Sequence, residues 1–188
     1  MTNWLNRIMS RFLDAIGKVR DHKDEVILQE MPEIAKVQDF DMSSVYTNMK
    51  KDLVEVGDFE IYKIMKSDKG EYIHEFLVDS KGKPVLYSSY QHSEGFGIFE
   101  KSVYQHNSTV GLARRFYVHY LIPKYNVIIS DEQLSEAGFK FYEKLFDSLT
   151  IKVLDTTTKQ VGSLDSVDEM DEYFTMGSSR YRFMLTKK

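Results

Sequence analysis

The sequence contains no cysteine. The chain therefore has no disulfide, no thiolate metal ligand and no cysteine nucleophile. This composition is typical of proteins that work in a reducing compartment, so we expect a cytoplasmic location. The histidines at positions 74, 92, 106 and 119 do not show the spacing of metal ligands, and we expect no metal site.

The sequence also lacks an excess of positive charge and a long apolar run. Its formal net charge is −4, whereas proteins that coat nucleic acids need a lysine and arginine excess on some face. No apolar run approaches the ~20 residues that a membrane-spanning helix needs. The first 25 residues mix Asn, Arg and Asp with their apolar positions, unlike a signal peptide. We expect neither a membrane association nor a nucleic-acid partner.

Aromatic residues are abundant. Twelve tyrosines and twelve phenylalanines stand against one tryptophan, which favours a core built on a β-sheet. Apolar residues make up 42% of the 188 positions, enough for one domain with a core of its own. We assign residues 1–50 to an N-terminal helical segment with a linker, and residues 51–188 to the domain.

The N-terminal residues 4–20 have the period of an amphipathic helix. Trp4, Ile8 and Phe12 lie on its apolar stripe. The other face mixes Asp with Arg and Lys, which disfavours binding to a membrane surface. We expect this helix to pack on the domain, to form a homodimer contact or to bind a protein partner. A short helix or a linker is expected near residues 43–53.

From Gly57 onward the pattern is that of β-strands. Four segments are predicted as strands: "DFEIYKIMK", "EYIHEFLVD", "PVLYSSYQH" and "FGIFEKSVYQH". The stops between them contain Gly with Ser, Asp or Lys, which is the chemistry of hairpin turns. These four strands are expected to form an antiparallel meander.

The period then becomes helical. One helix face carries the residues Val110, Ala113, Phe116, Tyr117, Tyr120 and Leu121, and Pro123 helps to end that helix. "NVIIS" is predicted as a buried strand, and "DEQLSEAGFKFYEKLFDSL" as a helix capped by Ser130 or Asp131. Two further strands and a short helix close the chain. The predicted fold class is α+β with a mixed sheet, in which a crossover helix makes the fourth and fifth strands parallel.

A candidate anion site lies where the crossover helix begins. The N–H groups of a helix N-terminus bind phosphates, and Gly111 would let a pyrophosphate approach the backbone. Ala113 keeps the next turn small. Arg114 follows and could add positive charge, although a solvated helix face explains it equally well.

These features resemble the GNAT superfamily of N-acetyltransferases over residues 57–188. The family's acetyl-CoA motif is a Gln or Arg, two residues, Gly, one residue, then Gly or Ala. Ser108 stands in the first position, Val110 precedes the glycine, and Gly111 and Ala113 match. The resemblance implies that acetyl-CoA is held by Ser108, Val110, Gly111, Ala113 and Arg114.

A second family motif resembles the later helix. The family has an Asn, an Ala three residues on and a Tyr four further on, and here these places are held by Ser135, Gly138 and Tyr142. The resemblance implies that Ser135 contributes to acetyl-CoA binding and that Tyr142 protonates the departing thiolate. The alternative for Tyr142 is a buried structural tyrosine whose hydroxyl bonds to a neighbour.

In this family the fourth strand often supplies the general base. Glu100, Ser102 and Tyr104 alternate there, so we expect them to share one face, with Glu100 as the base. The alternative is a solvated strand carboxylate. The implied activity is acyl transfer from acetyl-CoA to an amine of a small molecule or protein. A GNAT-shaped binding protein without catalysis, acting in host interaction or in a virion, is the other hypothesis. Degenerate members of this kind are common in bacteriophage genomes.

Overall fold

Nine strands in the described part of the chain form one mixed sheet in the computed structural model. The structure describes residues 40–93, 97–106, 108–131, 134–175 and 180–188. The helix predicted over residues 4–20 lies outside these ranges. Residues 42–188 form one compact unit.

The strands pair in the order β1-β2-β3-β4-β5-β6-β9-β7-β8. Their bounds are β1 Val54–Phe59, β2 Tyr62–Ser67, β3 Ile73–Val78, β4 Pro84–Ser93, β5 Gly97–Gln105, β6 Val127–Ile129, β7 Leu149–Asp155, β8 Val161–Ser163 and β9 Tyr181–Lys187. Among these strands only β5 and β6 are paired in parallel; every other described pair is antiparallel. The predicted α+β class is confirmed.

Four helical elements accompany the sheet within the described residues. They are α1, Met42–Met49, extended by a 3₁₀ turn at Lys50–Asp52; α2, made of Leu112–Phe116, the π-helical turn Tyr117–Leu121 and Ile122–Tyr125; α3, Glu136–Leu145; and α4, Val167–Thr175. Helix α2 connects the parallel strands β5 and β6, as a crossover must. None of the described helices is both long and apolar enough to cross a membrane.

The first predicted strand was wrong, because "DFEIYKIMK" contains a hairpin. Strand β1 ends at Phe59, and β2 begins at Tyr62 and pairs with it in antiparallel orientation. The turn places Glu60 at a positive φ of 55° and leaves Ile61 81% exposed. A turn without Gly, Asn or Pro carries no signal that a sequence pattern can detect.

A β-bulge in β5 overturns the expected sharing of a face by Glu100, Ser102 and Tyr104. Tyr90 of β4 pairs with Glu100, but the preceding residue of β4 pairs with Ser102, so Lys101 is the extra residue. A bulge shifts the alternation of side chains by one position. Glu100 therefore shares its face with Tyr90, whereas Ser102 and Tyr104 lie on the opposite face.

The start of β5 requires glycine. Gly97 has a φ of 116°, and a Cβ atom there would overlap the backbone carbonyl of Val127 in β6. The parallel strands therefore approach more closely at this end than a side chain would allow. This close approach fixes where β5 and β6 are held together.

Helix α3 begins later than the sequence predicted. Its N-cap is Ser135, whose side chain accepts a hydrogen bond from the Gly138 N–H at 3.1 Å. Ser130 and Asp131, the predicted caps, have other partners. The Ser130 hydroxyl accepts from the Phe183 N–H at 3.0 Å, and the Asp131 carboxylate pairs with Lys101 at 3.4 Å. Both residues thus belong to the end of β6 rather than to the helix.

Candidate active site

The parallel strands β5 and β6 are paired over a short stretch. The pairs are formed by Ile98 and Phe99 of β5 with Ile128 and Ile129, the last two residues of β6. Beyond that point β5 continues along β4 to Gln105. Glu100 is the first residue of β5 after the paired part.

Glu100 is buried and hydrogen-bonded. Its side chain accepts a hydrogen bond of 2.6 Å from the Tyr142 hydroxyl, and Tyr117 is a second hydrogen-bonding neighbour. Burial raises the pKa of Glu100 from 4.5 to about 7, against the lowering effect of the two tyrosines and with a further rise from the charge of Asp131. A carboxyl group with this pKa can accept and release a proton near neutral pH.

Tyr142 reaches Glu100 because of the register of α3. Phe139, Tyr142 and Leu145 recur at helical spacing and form the buried face of the helix, which begins at the Ser135 cap. Burial, and then the negative charge of Glu100, raises the pKa of Tyr142 well above its usual 10. The hydroxyl therefore stays protonated, as a proton donor or as a structural hydrogen-bond donor.

The third member of this cluster comes from α2. Tyr117 opens the π-helical turn of that helix, is almost fully buried and hydrogen-bonds with both Glu100 and Ser88. Burial, followed by the charge of Glu100, raises its pKa well above 10. The sequence placed Tyr117 only among the apolar positions of its helix. A π-helical turn inserts one residue into the helix period, and such turns are frequent at functional sites.

The turn before α2 is built on a glycine. Gly111 is the N-cap of the helix and has a left-handed φ of 74°. The first N–H groups of the helix already have partners within the chain: Leu112 donates to the Thr109 carbonyl at 3.0 Å, and Ala113 donates to the Gln105 side chain at 2.9 Å. A phosphate bound to Ala113 would have to replace the Gln105 amide.

The polar side chains near this turn are also hydrogen-bonded within the chain. The Ser108 hydroxyl lies 2.7 Å from His106 Nδ1, and Arg114 donates to the Ser148 hydroxyl at 2.6 Å. Arg115 makes a two-pronged contact with Glu60. Val110, by contrast, is 84% exposed.

A groove of about 410 Å³ opens beside Gly111. It is lined by Gly111, Arg114, Arg115, Val118, His119 and Ser148. Arg114 contributes a positive charge to the groove, whereas the charge of Arg115 is paired with Glu60. Three of the predicted positions, Gly111, Ala113 and Arg114, thus lie at one helix start, while Glu100 and Tyr142 meet in the buried cluster.

The described residues contain no group of three or more side chains placed to hold a metal ion. Comparison with protein-family models, with curated proteins and with solved structures found no match.

Proposed function

We propose that the chain is an acyl-CoA-dependent N-acyltransferase of the GNAT type. The observation that carries this proposal is Glu100, a buried carboxyl with a pKa of about 7 directly after the paired part of the one parallel strand pair among the described strands. A general base works best when its pKa lies near the operating pH. The bulge at Lys101 supports the proposal, since bulges occur next to active sites and redirect side chains there.

In the proposed reaction the neutral amine of the acceptor attacks the thioester carbonyl carbon, and Glu100 takes up the proton that the nitrogen loses as the new bond forms. The bond from that carbon to sulfur then breaks, and Tyr142 donates its proton to the departing thiolate. Because the two side chains share a hydrogen bond of 2.6 Å, the proton taken up by Glu100 can return to Tyr142. The cycle then closes without a proton from bulk water.

The proposed place for the phosphates of acetyl-CoA is the groove beside Gly111. Arg114 and His119 line that groove, which follows the side of α2 from Gly111. Ser108 and Val110 flank the same turn, and Ser135 belongs to the proposal only through the family resemblance.

A catalytically inactive binding protein is the second candidate, and a specific observation favours it. The proposed acid and base are hydrogen-bonded to each other in a fully buried cluster, and Arg115 is held by Glu60. A protein that had kept the fold without the chemistry would show this closed arrangement, since buried polar groups must find partners within the chain.

Calorimetric titration with acetyl-CoA and an assay of thiol release over a panel of amines separate the two candidates. The transferase proposal expects saturable binding and turnover, with both reduced by Arg114→Gln and unaffected by Lys140→Gln, which removes the same charge from an exposed position on α3. Binding without turnover for any amine would support the binding protein. The absence of binding at millimolar acetyl-CoA would contradict the transferase, because a working site stabilises the native state by mass action.

A further inference from the structure

A second buried carboxylate lies on the same face of the sheet as Glu100. Glu75 of β3 pairs with Ser88, two positions from Tyr90, which pairs with Glu100. Its side chain is fully buried. The spacing of strands and residues places the α-carbons of Glu75 and Glu100 about 12 Å apart, two strands away from each other.

Glu75 holds an ammonium group. Lys124 Nζ donates to Glu75 Oε1 at 3.0 Å and to the Tyr120 hydroxyl at 2.6 Å, and that hydroxyl lies 3.3 Å from the same carboxylate oxygen. The ammonium also lies 4.6 Å from the centre of the Tyr120 ring and 5.0 Å from that of Tyr125. A carboxylate with two aromatic rings is the arrangement that recognises ammonium ligands.

Two features indicate that this arrangement does more than hold Lys124. The second oxygen of Glu75, Oε2, is buried and makes no close hydrogen bond within the described structure, although the Tyr90 hydroxyl interacts with this carboxylate. An ion pair formed only for stability would normally satisfy both oxygens, because an unpaired buried oxygen destabilises the fold. The Lys124 side chain is 36% exposed, so the cluster opens to solvent on the side from which this lysine enters.

The surroundings of Lys124 favour its charged form. Burial works against the charged form, but the charge of Glu75 and the hydrogen bonds with Tyr120 and Glu75 outweigh it and raise the pKa of Lys124 above its usual value. The site therefore favours a cation over a neutral amine. Tyr125 is fixed for this purpose by a hydrogen bond of 2.8 Å between its hydroxyl and that of Tyr90.

We propose that Glu75, Tyr120 and Tyr125 form a cage for an alkylammonium group of the acceptor, which Lys124 fills while no acceptor is bound. An incoming ammonium takes the place of Lys124 Nζ, uses Glu75 Oε2 as an additional acceptor, and releases the lysine to solvent. As an account of the acceptor, this inference rests on the transferase proposal. The acceptor then carries two amino groups, one held in the cage as a cation and one deprotonated by Glu100.

Binding is tested on the full chain without acetyl-CoA, using 1,6-diaminohexane as the probe and 1,6-hexanediol as the uncharged control at matched ionic strength. The readout is the NMR signal of the Lys124 side chain, assigned by its loss in Lys124→Arg. Between two tyrosine rings this signal is ring-shifted, and we expect it to move saturably toward the position of a solvated lysine as the diamine binds. The diol should leave it in place.

Variants sharpen the test. Glu75→Gln should weaken diamine binding at least about tenfold, the loss of one charge-assisted contact. Lys124→Met, which removes the competing occupant, should bind the diamine more tightly than the wild type. The proposal is overturned if the wild-type Lys124 signal does not respond to the diamine, or if Glu75→Gln binds it as well as the wild type. The proposal is likewise overturned if the diamine stabilises Lys124→Met but not the wild type. In that case the cluster of the wild type would be only an internal ion pair.

The two proposals fail in different ways. If the chain binds the diamine but not acetyl-CoA, the result supports the cage and contradicts the transferase proposal. If 1-aminohexane and 1,6-diaminohexane are acetylated with the same KM, and Glu75→Gln leaves that KM unchanged, the result supports the transferase proposal and contradicts the cage.

Discussion

Glu75 and Glu100 make a controlled comparison within one molecule. Both are buried carboxylates on one face of the sheet, and both are bonded by tyrosines of α2. Glu75 has an ammonium partner at 3.0 Å. Glu100 has hydroxyl donors, with the charge of Asp131 nearby, and its pKa rises to about 7. The comparison teaches that burial and the charge of the partner together set the surroundings of a buried carboxylate.

The largest effect is expected where the ion pair is broken. Lys124→Met should lower the free energy of unfolding by about 3 kcal/mol at neutral pH, because it leaves Glu75 buried without its cation. The double variant Glu75→Gln/Lys124→Met should recover most of this loss. Urea unfolding of the wild type, Lys124→Met and the double variant measures these free energies. A double variant as unstable as Lys124→Met would show that the lysine acts through packing and that the charge pair is irrelevant.

The next effect concerns the pH dependence that Glu100 should confer. Its folded pKa is raised from 4.5 to about 7, so its contribution to stability is fully present below about pH 4.5 and is lost as the pH rises through about 7. The rise corresponds to about 3 kcal/mol over this window. Unfolding measured from pH 5 to pH 8 should show this decline in the wild type and not in Glu100→Gln. Parallel profiles for the two proteins would contradict the raised pKa.

A smaller effect is expected from the hydroxyl of Tyr142. Tyr142→Phe should cost about 1–2 kcal/mol at pH 8, where the hydroxyl donates to an ionised carboxylate. It should also raise the pKa of Glu100 further, since this hydrogen bond lowers it. If Tyr142 is the general acid, turnover should fall by about 10²-fold or more. Tyr117→Phe removes the other hydroxyl and serves as the control: an equal loss of turnover there would argue against a specific acid.

The smallest effect is expected at the glycine turn. Gly111 has a φ of 74°, and a Cβ atom would find ordinary space beside Arg115. Gly111→Ala should therefore cost only the backbone strain, about 1 kcal/mol, and Gly111→Asn less. Thermal unfolding measures both. The pH dependence assigned to Glu100 should be unchanged in these variants, and a change would mean that the turn and the buried cluster are coupled.

Much of the fold could be predicted from the sequence because it follows from local patterns. Turn residues separated β2, β3, β4 and β5, and the change from strand to helix periodicity located α2 and α3. The hairpin at Glu60 was missed because its turn contains no turn-forming residue. The true cap of α3, Ser135, was missed because Ser130 and Asp131 also have the right chemistry, and their tertiary partners decided between them.

The candidate site was predicted only in part. Tyr142 and Glu100 were both singled out, but as separate groups; their direct hydrogen bond spans 42 positions of the chain. Glu75 and Lys124 were not predicted as site residues, because a single charged residue in a strand or near a helix end carries no signal of its own. Their ion pair joins residues that are 49 positions apart, and no local sequence pattern indicates such a contact.

The sequence by itself determined the alternation of strands and helices, the crossover that makes β5 and β6 parallel, and the inward face of α3, because periodicity and turn chemistry act between neighbours along the chain. Only the tertiary structure decided the rest. A single extra residue at Lys101 turned Glu100 away from the face of Ser102, and the π-helical turn of α2 brought Tyr117 to Glu100 and Tyr120 to Glu75. Burial and the choice of charge partner are set by residues distant in sequence, and these two factors give two similar carboxylates different chemistry.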